Sequence, residues 1–210
     1  MKAARLYRRR EWRGMRPRLL DLFCGAGGAA MGYHRAGFDV VGVDINPQPH
    51  YPFEFRQADA LTFPLDGFDA IHASPPCQAY ANVTRWTGRQ SEHPDLVPAM
   101  LARLRGQNAP WIVENVPGAP IRPDFILCGS MFGLGIQRHR WFQTSWSAYG
   151  LMPTCDHRGL LPFMHKGEHA YADAMGCGWM SNREGRQAVP PAYTEYLGEH
   201  LLAAMESAAA

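Results

Sequence analysis

The sequence predicts an α/β fold, a mostly parallel sheet with helices on both faces. Two observations carry that expectation. A short apolar run, a glycine turn, a small-residue helix and a second apolar run form a βαβ unit near the start of the chain. Further apolar runs that end in polar or charged residues then follow to about residue 145.

Leu19-Leu20-Asp21-Leu22-Phe23 reads as a short buried strand and Cys24-Gly25-Ala26-Gly27-Gly28 as a tight turn. Ala29 to Ala36 reads as a helix stopped by Gly37. Phe38 to Val43 is a second strand ending at Asp44, and Phe55 to Ala58 is a weak strand leading to Asp59. Phe68 to Ala73 is a strong strand that ends in Ser74-Pro75-Pro76-Cys77-Gln78. Residues 79–93 are polar and aperiodic and read as a long loop, either functional or plain surface. Asp95 to Arg105 carries Leu96, Met100, Leu101 and Leu104 at helical spacing, with Pro98 tolerated in the first turn. Trp111-Ile112-Val113 is a strand ending at Glu114-Asn115-Val116, and Phe125 to Cys128 and Arg140 to Thr144 are two more. From 146 to 190 the periodicity fades and no element is assigned. A last helix follows Pro190-Pro191, with Tyr196, Leu197, His200, Leu201 and Ala204 on one face.

The chain divides into a basic arm (1–15), a core (16–145), a small irregular insert (146–188) and a returning C-terminal helix (189–210). Its 210 residues, 46% hydrophobic and 19% charged, suit one globular domain. Collagen-like, coiled-coil and broadly disordered chains are excluded by composition. No apolar run approaches the roughly 18 residues of a membrane span, and the N-terminus lacks a signal peptide's apolar stretch. An intracellular protein is expected, in cytoplasm or nucleoid, a virus-encoded protein in its host included. The net charge of +2 hides an asymmetry: residues 1–18 carry eight cations against Glu11 alone, and the rest of the chain is net negative. The arm reads as a contact for a polyanion, as a solvated tail, or as untranslated sequence before a start at Met15. Five cysteines, odd in number and widely spaced, argue against a disulfide framework.

The glycine turn, Asp44, Asp59 and Cys77 all fall at the C-terminal ends of strands, the edge where open α/β sheets bind ligands. The turn exposes amides of a helix N-terminus, and Asp44, 19 residues after Gly25, sits where a carboxylate accepts from ribose hydroxyls. That pair reads as an adenosine-containing cofactor site or as a tight turn beside a solvated aspartate. No Gly-Lys-Ser/Thr follows the turn, which disfavours phosphate transfer. Cys77 follows two prolines that stiffen its loop, so its thiol reads as a projecting nucleophile, activated where its pKa is lowered.

Asp21-Leu22-Phe23-Cys24-Gly25-Ala26-Gly27-Gly28, Ser74-Pro75-Pro76-Cys77-Gln78, Glu114-Asn115-Val116 and Arg138-His139-Arg140-Trp141-Phe142 occur in that order. Together they resemble the cytosine-C5 DNA methyltransferase family, over about residues 16–145 with an echo at Pro190 to Leu202. The resemblance implies a Rossmann-like fold dependent on S-adenosyl-L-methionine. It implies Cys77, Glu114, Arg138 and Arg140 as catalytic residues. Cys77 would add to C6 of cytosine, Glu114 would bind N3 and the exocyclic amine, Arg140 would bind O2, and Arg138 would support it or a phosphate. Phe23, Gly25, Ala26, Gly27, Asp44, Ile45, Asp59, Ala60 and Pro75 would hold the cofactor, with Asp44 on the ribose and Asp59 on the adenine amine. Ser74, Pro76, Gln78, Thr84, Arg85 and Asn115 would meet the substrate, and Trp86 lies in the same closing loop. A duplex substrate implies base flipping.

The sequence departs from the family pattern in two places. Ile136 stands where a glutamine usually precedes the arginines, and only about residues 146–180 replace a large sequence-reading region. DNA is the expected partner, with a short target site or a dimer or helper protein, and structured RNA such as tRNA is the alternative. A non-catalytic nucleic-acid-binding module is a reading of another class. Cys155, His157, His165, His169 and Cys177 share the insert and read as a zinc knot that stabilises it or as ordinary loop residues; their spacing matches no paired zinc pattern, so no metal ligands are assigned.

Overall fold

The computed structural model describes residues 15–146, 152, 154–158 and 170–209. The arm through residue 14, and His165 and His169, lie outside the described residues. The seven strands are β1 (Arg18–Leu22), β2 (Asp39–Asp44), β3 (Glu54–Gln57), β4 (Ala70–Ala73), β5 (Trp111–Asn115), β6 (Phe125–Leu127) and β7 (Arg140–Thr144). They form one sheet in the order β3-β2-β1-β4-β5-β7-β6. The first five run parallel, and β7 lies antiparallel between β5 and β6.

Side chains alternate across the sheet, so neighbouring residues serve opposite faces. Leu19, Ala70 and Ile112 pack with the helices α1 (Gly28–Ala36) and α6 (Pro191–Ala209). Leu20, Ile71 and Val113 pack on the other face with α3 (Val97–Leu104). Along α6, Tyr193, Leu197, Leu201 and Met205 recur every four residues and are all buried. Helices α1 and α6 approach closely because Gly32 has no side chain: a Cβ there would stand 2.1 Å from the Pro191 carbonyl oxygen. Gly37 ends α1 in the left-handed conformation, as expected.

The structure differs from the sequence reading in two stretches. Residues 79–93 are not one loop: Asn82–Trp86 form a short helix, α2, and Gln90–Glu92 a 3-10 turn. The Thr84 hydroxyl ties this helix back by donating to the Gln78 and Ala81 carbonyls, at 2.5 and 2.8 Å. Within the unassigned stretch stand α4 (Ala170–Ala174) and α5 (Asn182–Gln187). A capping box starts α5, with Ser181 and Glu184 each satisfying the other's backbone N–H. Tyr171, Ala172, Met175, Cys177 and Met180 then pack on Ile136 and Ala26. This part of the insert is therefore a lid on the core rather than a free-standing module.

Candidate functional site

The strand order reverses between β1 and β4, which opens a crevice at their C-terminal ends. The chain leaves β1 through Phe23, the one described non-glycine residue with positive φ, at 58°. Strain of that kind costs of order 1–3 kcal/mol and clusters at ligand sites. Gly25 follows with φ 49°, and the space where its side chain would lie is open to 4 Å. Its N–H donates to Asp44 Oδ2 at 3.1 Å, and the Asn46 N–H donates to Oδ1 at 2.9 Å. Asp44 is thereby fixed at the crevice edge, next to Ile45, whose side chain is 65% exposed. Asp59 opens the next turn by accepting from the Leu61 N–H at 2.8 Å. The adjoining Ala60 is buried, and its carbonyl accepts from Arg103 at 2.7 Å.

A strained loop, an uncovered glycine, an anchored carboxylate and an exposed apolar side chain fit an adenosine-bearing cofactor. Phe23, Gly25, Asp44 and Ile45 line that edge. Ala26 and Gly27 are buried beneath it, and Trp179 donates to the Ala26 carbonyl at 3.0 Å. Asp21 lies fully buried below the turn; burial, then the charge of Asp44, pushes its carboxyl well above the usual range.

The second half of the site grows from β4 and β5. Ser74 closes onto β1 through its N–H, which donates to the Leu22 carbonyl at 3.1 Å. Pro75 is buried, and its carbonyl accepts from Asn115 Nδ2 at 2.9 Å. The Cys77 carbonyl accepts from the Tyr80 and Ala81 N–H groups, both at 2.9 Å, so the loop turns sharply after the thiol. Pro76, Cys77 and Gln78 are half-buried. Arg85 is exposed, and so is Trp86, at 79%.

Glu114 and Arg140 meet at the β5–β7 contact. Arg140 Nε lies 2.8 Å from Glu114 Oε1, with both side chains at most a tenth exposed. The approach is off-line, and that buried oxygen receives no hydrogen bond from the described residues. Burial pushes the Glu114 carboxyl up, against the opposing pull of Arg140, Arg138 and the Ser74 hydroxyl. Burial likewise pushes the Cys77 thiol up; Glu114 adds to this, while Arg140 and Arg138 oppose it. The resting thiol is thus not pre-ionised in the way that a projecting nucleophile suggests, because its loop is packed rather than free.

Arg138, expected to support Arg140 or a phosphate, and Asn115, expected to meet substrate, are both committed inward. Arg138 is 2% exposed and donates to the Tyr171 hydroxyl at 2.7 Å and to the Arg186 and Ala188 carbonyls at 2.8 and 3.1 Å. It clamps the α4–α5 lid to the core, and its buried charge lies close enough to Arg140 for the two cations to repel. Asn115 is fully buried and spends its amide on Pro75 and on the Val116 N–H.

The sequence reading missed His72 and Tyr33. The Tyr33 hydroxyl lies 2.9 Å from His72 Nδ1, and His72 Nε2 lies 2.7 Å from the Ser74 hydroxyl, which in turn meets Glu114. Burial lowers the His72 pKa to about 3, so the ring is neutral. This polar string holds the carboxyl from beneath. The signal was one histidine inside the apolar run Ala70-Ile71-His72-Ala73.

A mostly parallel sheet with a glycine turn at its switch point, facing a cysteine loop and a buried carboxyl–guanidinium pair, defines a Rossmann-like S-adenosylmethionine-dependent methyltransferase fold. More particularly, residues 17–120 match the family model of C-5 cytosine-specific DNA methylases, and the chain belongs to that family. S-adenosylmethionine is the methyl donor of the family.

Among solved structures it is similar to S. pombe Dnmt2 methyltransferase, at TM-score 0.56 and 15% identity, over 90% of this chain and 99% of that one. It also resembles a methyltransferase encoded within an E. coli prophage (TM-score 0.46, 22% identity, 60% of this chain) and the Entamoeba histolytica methyltransferase EhMeth (TM-score 0.46, 17% identity, 61% of this chain). The chain spans 45% and 52% of the lengths of those last two. No curated protein matches it.

Proposed function

We propose that this chain methylates C5 of cytosine in DNA through a covalent adduct of Cys77. The observation that carries the reading is the buried Glu114 carboxyl, raised in pKa and paired with Arg140, whose charges both act on the Cys77 thiol. Cytosine resists nucleophiles at C6 unless N3 receives a proton, and a carboxyl with a raised pKa is suited to supply one. Bound S-adenosylmethionine supplies an electrophilic methyl group at the crevice edge formed by Phe23, Gly25, Asp44 and Ile45. The Cys77 sulfur forms a bond to C6 as its proton leaves, and Glu114 shares its proton with N3. Arg140 stabilises the charge drawn toward O2. Addition at C6 makes C5 nucleophilic enough to take up that methyl group; loss of the C5 proton to a base or to solvent then breaks the sulfur–C6 bond and frees Cys77.

Exposed Arg85 and Trp86, on the helix directly after the cysteine loop, suit contact with a displaced nucleotide. Structured RNA is the second reading. It is favoured by the small segment between β7 and α6, which leaves few groups to read a DNA sequence. A dimer or helper protein would meet the same need in DNA, and a role beside a restriction enzyme is consistent with it. No described helix is long and apolar enough to cross a membrane.

The test is bisulfite sequencing of DNA and RNA from cells expressing the chain or its Cys77→Ala variant. Cysteine-dependent 5-methylcytosine in DNA is expected. Marks in RNA alone would replace the substrate, and marks that persist with Cys77→Ala would overturn the covalent mechanism.

A further inference from the structure

At the β6–β7 end of the same sheet edge, four side chains converge that have no part in the chemistry above. Cys128 follows β6, His139 stands between the two arginines, and Cys155 and His157 lie two residues apart in the insert. One donor atom from each falls within a group whose members all lie within 4.8 Å of one another. Cys128 Sγ is 3.5 Å from His157 Nε2, and Cys155 Sγ is 3.4 Å from His139 Nε2. The two imidazoles cross at 86° with centroids 5.0 Å apart, so their nitrogens converge rather than stack.

We propose that these four residues bind one structural zinc ion. Zinc–sulfur bonds of about 2.3 Å and zinc–nitrogen bonds of about 2.0–2.1 Å at tetrahedral angles set each sulfur–nitrogen edge at about 3.5 Å. The two sulfur–nitrogen separations match that edge. Two thiolates and two neutral imidazoles make a Cys2His2 set, which selects zinc over the oxygen-seeking cations and leaves the occupied site without net charge. Binding releases the two thiol protons to solvent. Four ligands close the shell, so the site stabilises structure rather than activating water.

Sequence spacing hides the site because its ligands come from three separate segments. Cys128 and His139 lie upstream of the insert. Cys177, a candidate by position, is fully buried in an apolar cluster instead. The site also answers the departure at Ile136. The ion would tie His139 to the segment around Cys155, and the His139 carbonyl accepts from Arg140 Nη1 at 3.0 Å. An anchor of this kind fixes the turn between the two arginines where a glutamine side chain is missing. A second contact joins the same segments, the Asp156 N–H donating to the Ser130 hydroxyl at 3.3 Å.

The zinc assignment stands independently of the methyl-transfer reading. Its test is elemental analysis of the full chain purified without added metal, together with cobalt(II) titration of the chelator-treated protein. One zinc per chain is expected, and cobalt should give the intense visible bands of a tetrahedral thiolate site. Cys155→Ser should lower the zinc content at least tenfold; Cys155 is exposed, so the substitution spares the core. Chelation should lower the melting temperature, and added zinc should restore it. A chain that carries no zinc and shows no cobalt–thiolate absorption would overturn the proposal. So would an intact mass two hydrogen atoms light with Cys128 and Cys155 recovered in one disulfide-linked peptide.

Discussion

Replacing Glu114 by glutamine separates two effects that a general loss of structure would merge. The carboxyl is 5% exposed and sits 2.8 Å from the Arg140 guanidinium. Glutamine keeps the shape but cannot deliver a proton to N3. Loss of a positioned acid costs about 10²- to 10⁴-fold in rate, or about 3–5 kcal/mol of barrier. The charge change also reaches Cys77, because Glu114 pushes that thiol up while Arg140 pulls it down. Wherever the resting carboxyl is ionised, its loss leaves the opposing cation unbalanced, so the thiol ionises at lower pH and alkylates faster. The assay follows methyl incorporation into cytosine-containing DNA and RNA, with iodoacetamide labelling of Cys77 measured by peptide mass on the same preparation. Methyl transfer should fall by two to four orders of magnitude while labelling at neutral pH rises. Methyl transfer within a few-fold of wild type would refute the role of the acid. A parallel fall in labelling would show that the variant had lost the pocket, and the electrostatic argument would fail. Removing one partner of a buried pair costs about 3–5 kcal/mol of stability, so folding is checked by circular dichroism alongside.

Three further outcomes follow from the geometry. Ile45→Ala removes an exposed side chain, so stability should hold while S-adenosylmethionine binds about tenfold more weakly by calorimetry, the value of about 1–2 kcal/mol of apolar contact. Asp21→Asn should raise the melting temperature at pH 8 more than at pH 5. The native Asp21 carboxyl is raised by burial, so its favourable protonation is complete below the unfolded value near 4 and is lost as pH climbs toward the folded one. A temperature gain that shrinks with rising pH would contradict that sign. Removing residues 1–14 should weaken binding to nucleic acid and flatten its salt dependence, measured by fluorescence anisotropy across salt; an unchanged slope would make the arm incidental.

The parallel half of the sheet was legible because apolar runs such as Leu19-Leu20-Asp21-Leu22 and Phe38 to Val43 end in turn residues at regular intervals. Site residues at strand ends were legible for the same reason, since loops there carry chemistry rather than packing. What stayed hidden depends on contacts far apart in sequence. Arg138 reads as a support for Arg140 or a phosphate ligand until Tyr171, Arg186 and Ala188 are seen to enclose it. Asn115 reads as a substrate ligand until its amide is found on Pro75. The two helices of the insert are too short for a periodic signal, although Ser181-Asn182-Arg183-Glu184 is a capping box written in the sequence. Cys128 and His139 gave no pattern together because one follows β6 and the other precedes β7.

The central claim is that Cys77 attacks C6 of a cytosine held by Glu114, and its most direct test is covalent trapping. The full chain is incubated with S-adenosylmethionine and an oligonucleotide carrying 5-fluorocytosine, as DNA and separately as RNA. Fluorine at C5 leaves no removable proton, so the adduct cannot collapse. The account predicts a stable protein–nucleic acid species with the modified base mapped to Cys77 by peptide mass. A substrate that is methylated in its unfluorinated form yet yields no adduct at Cys77 would contradict it.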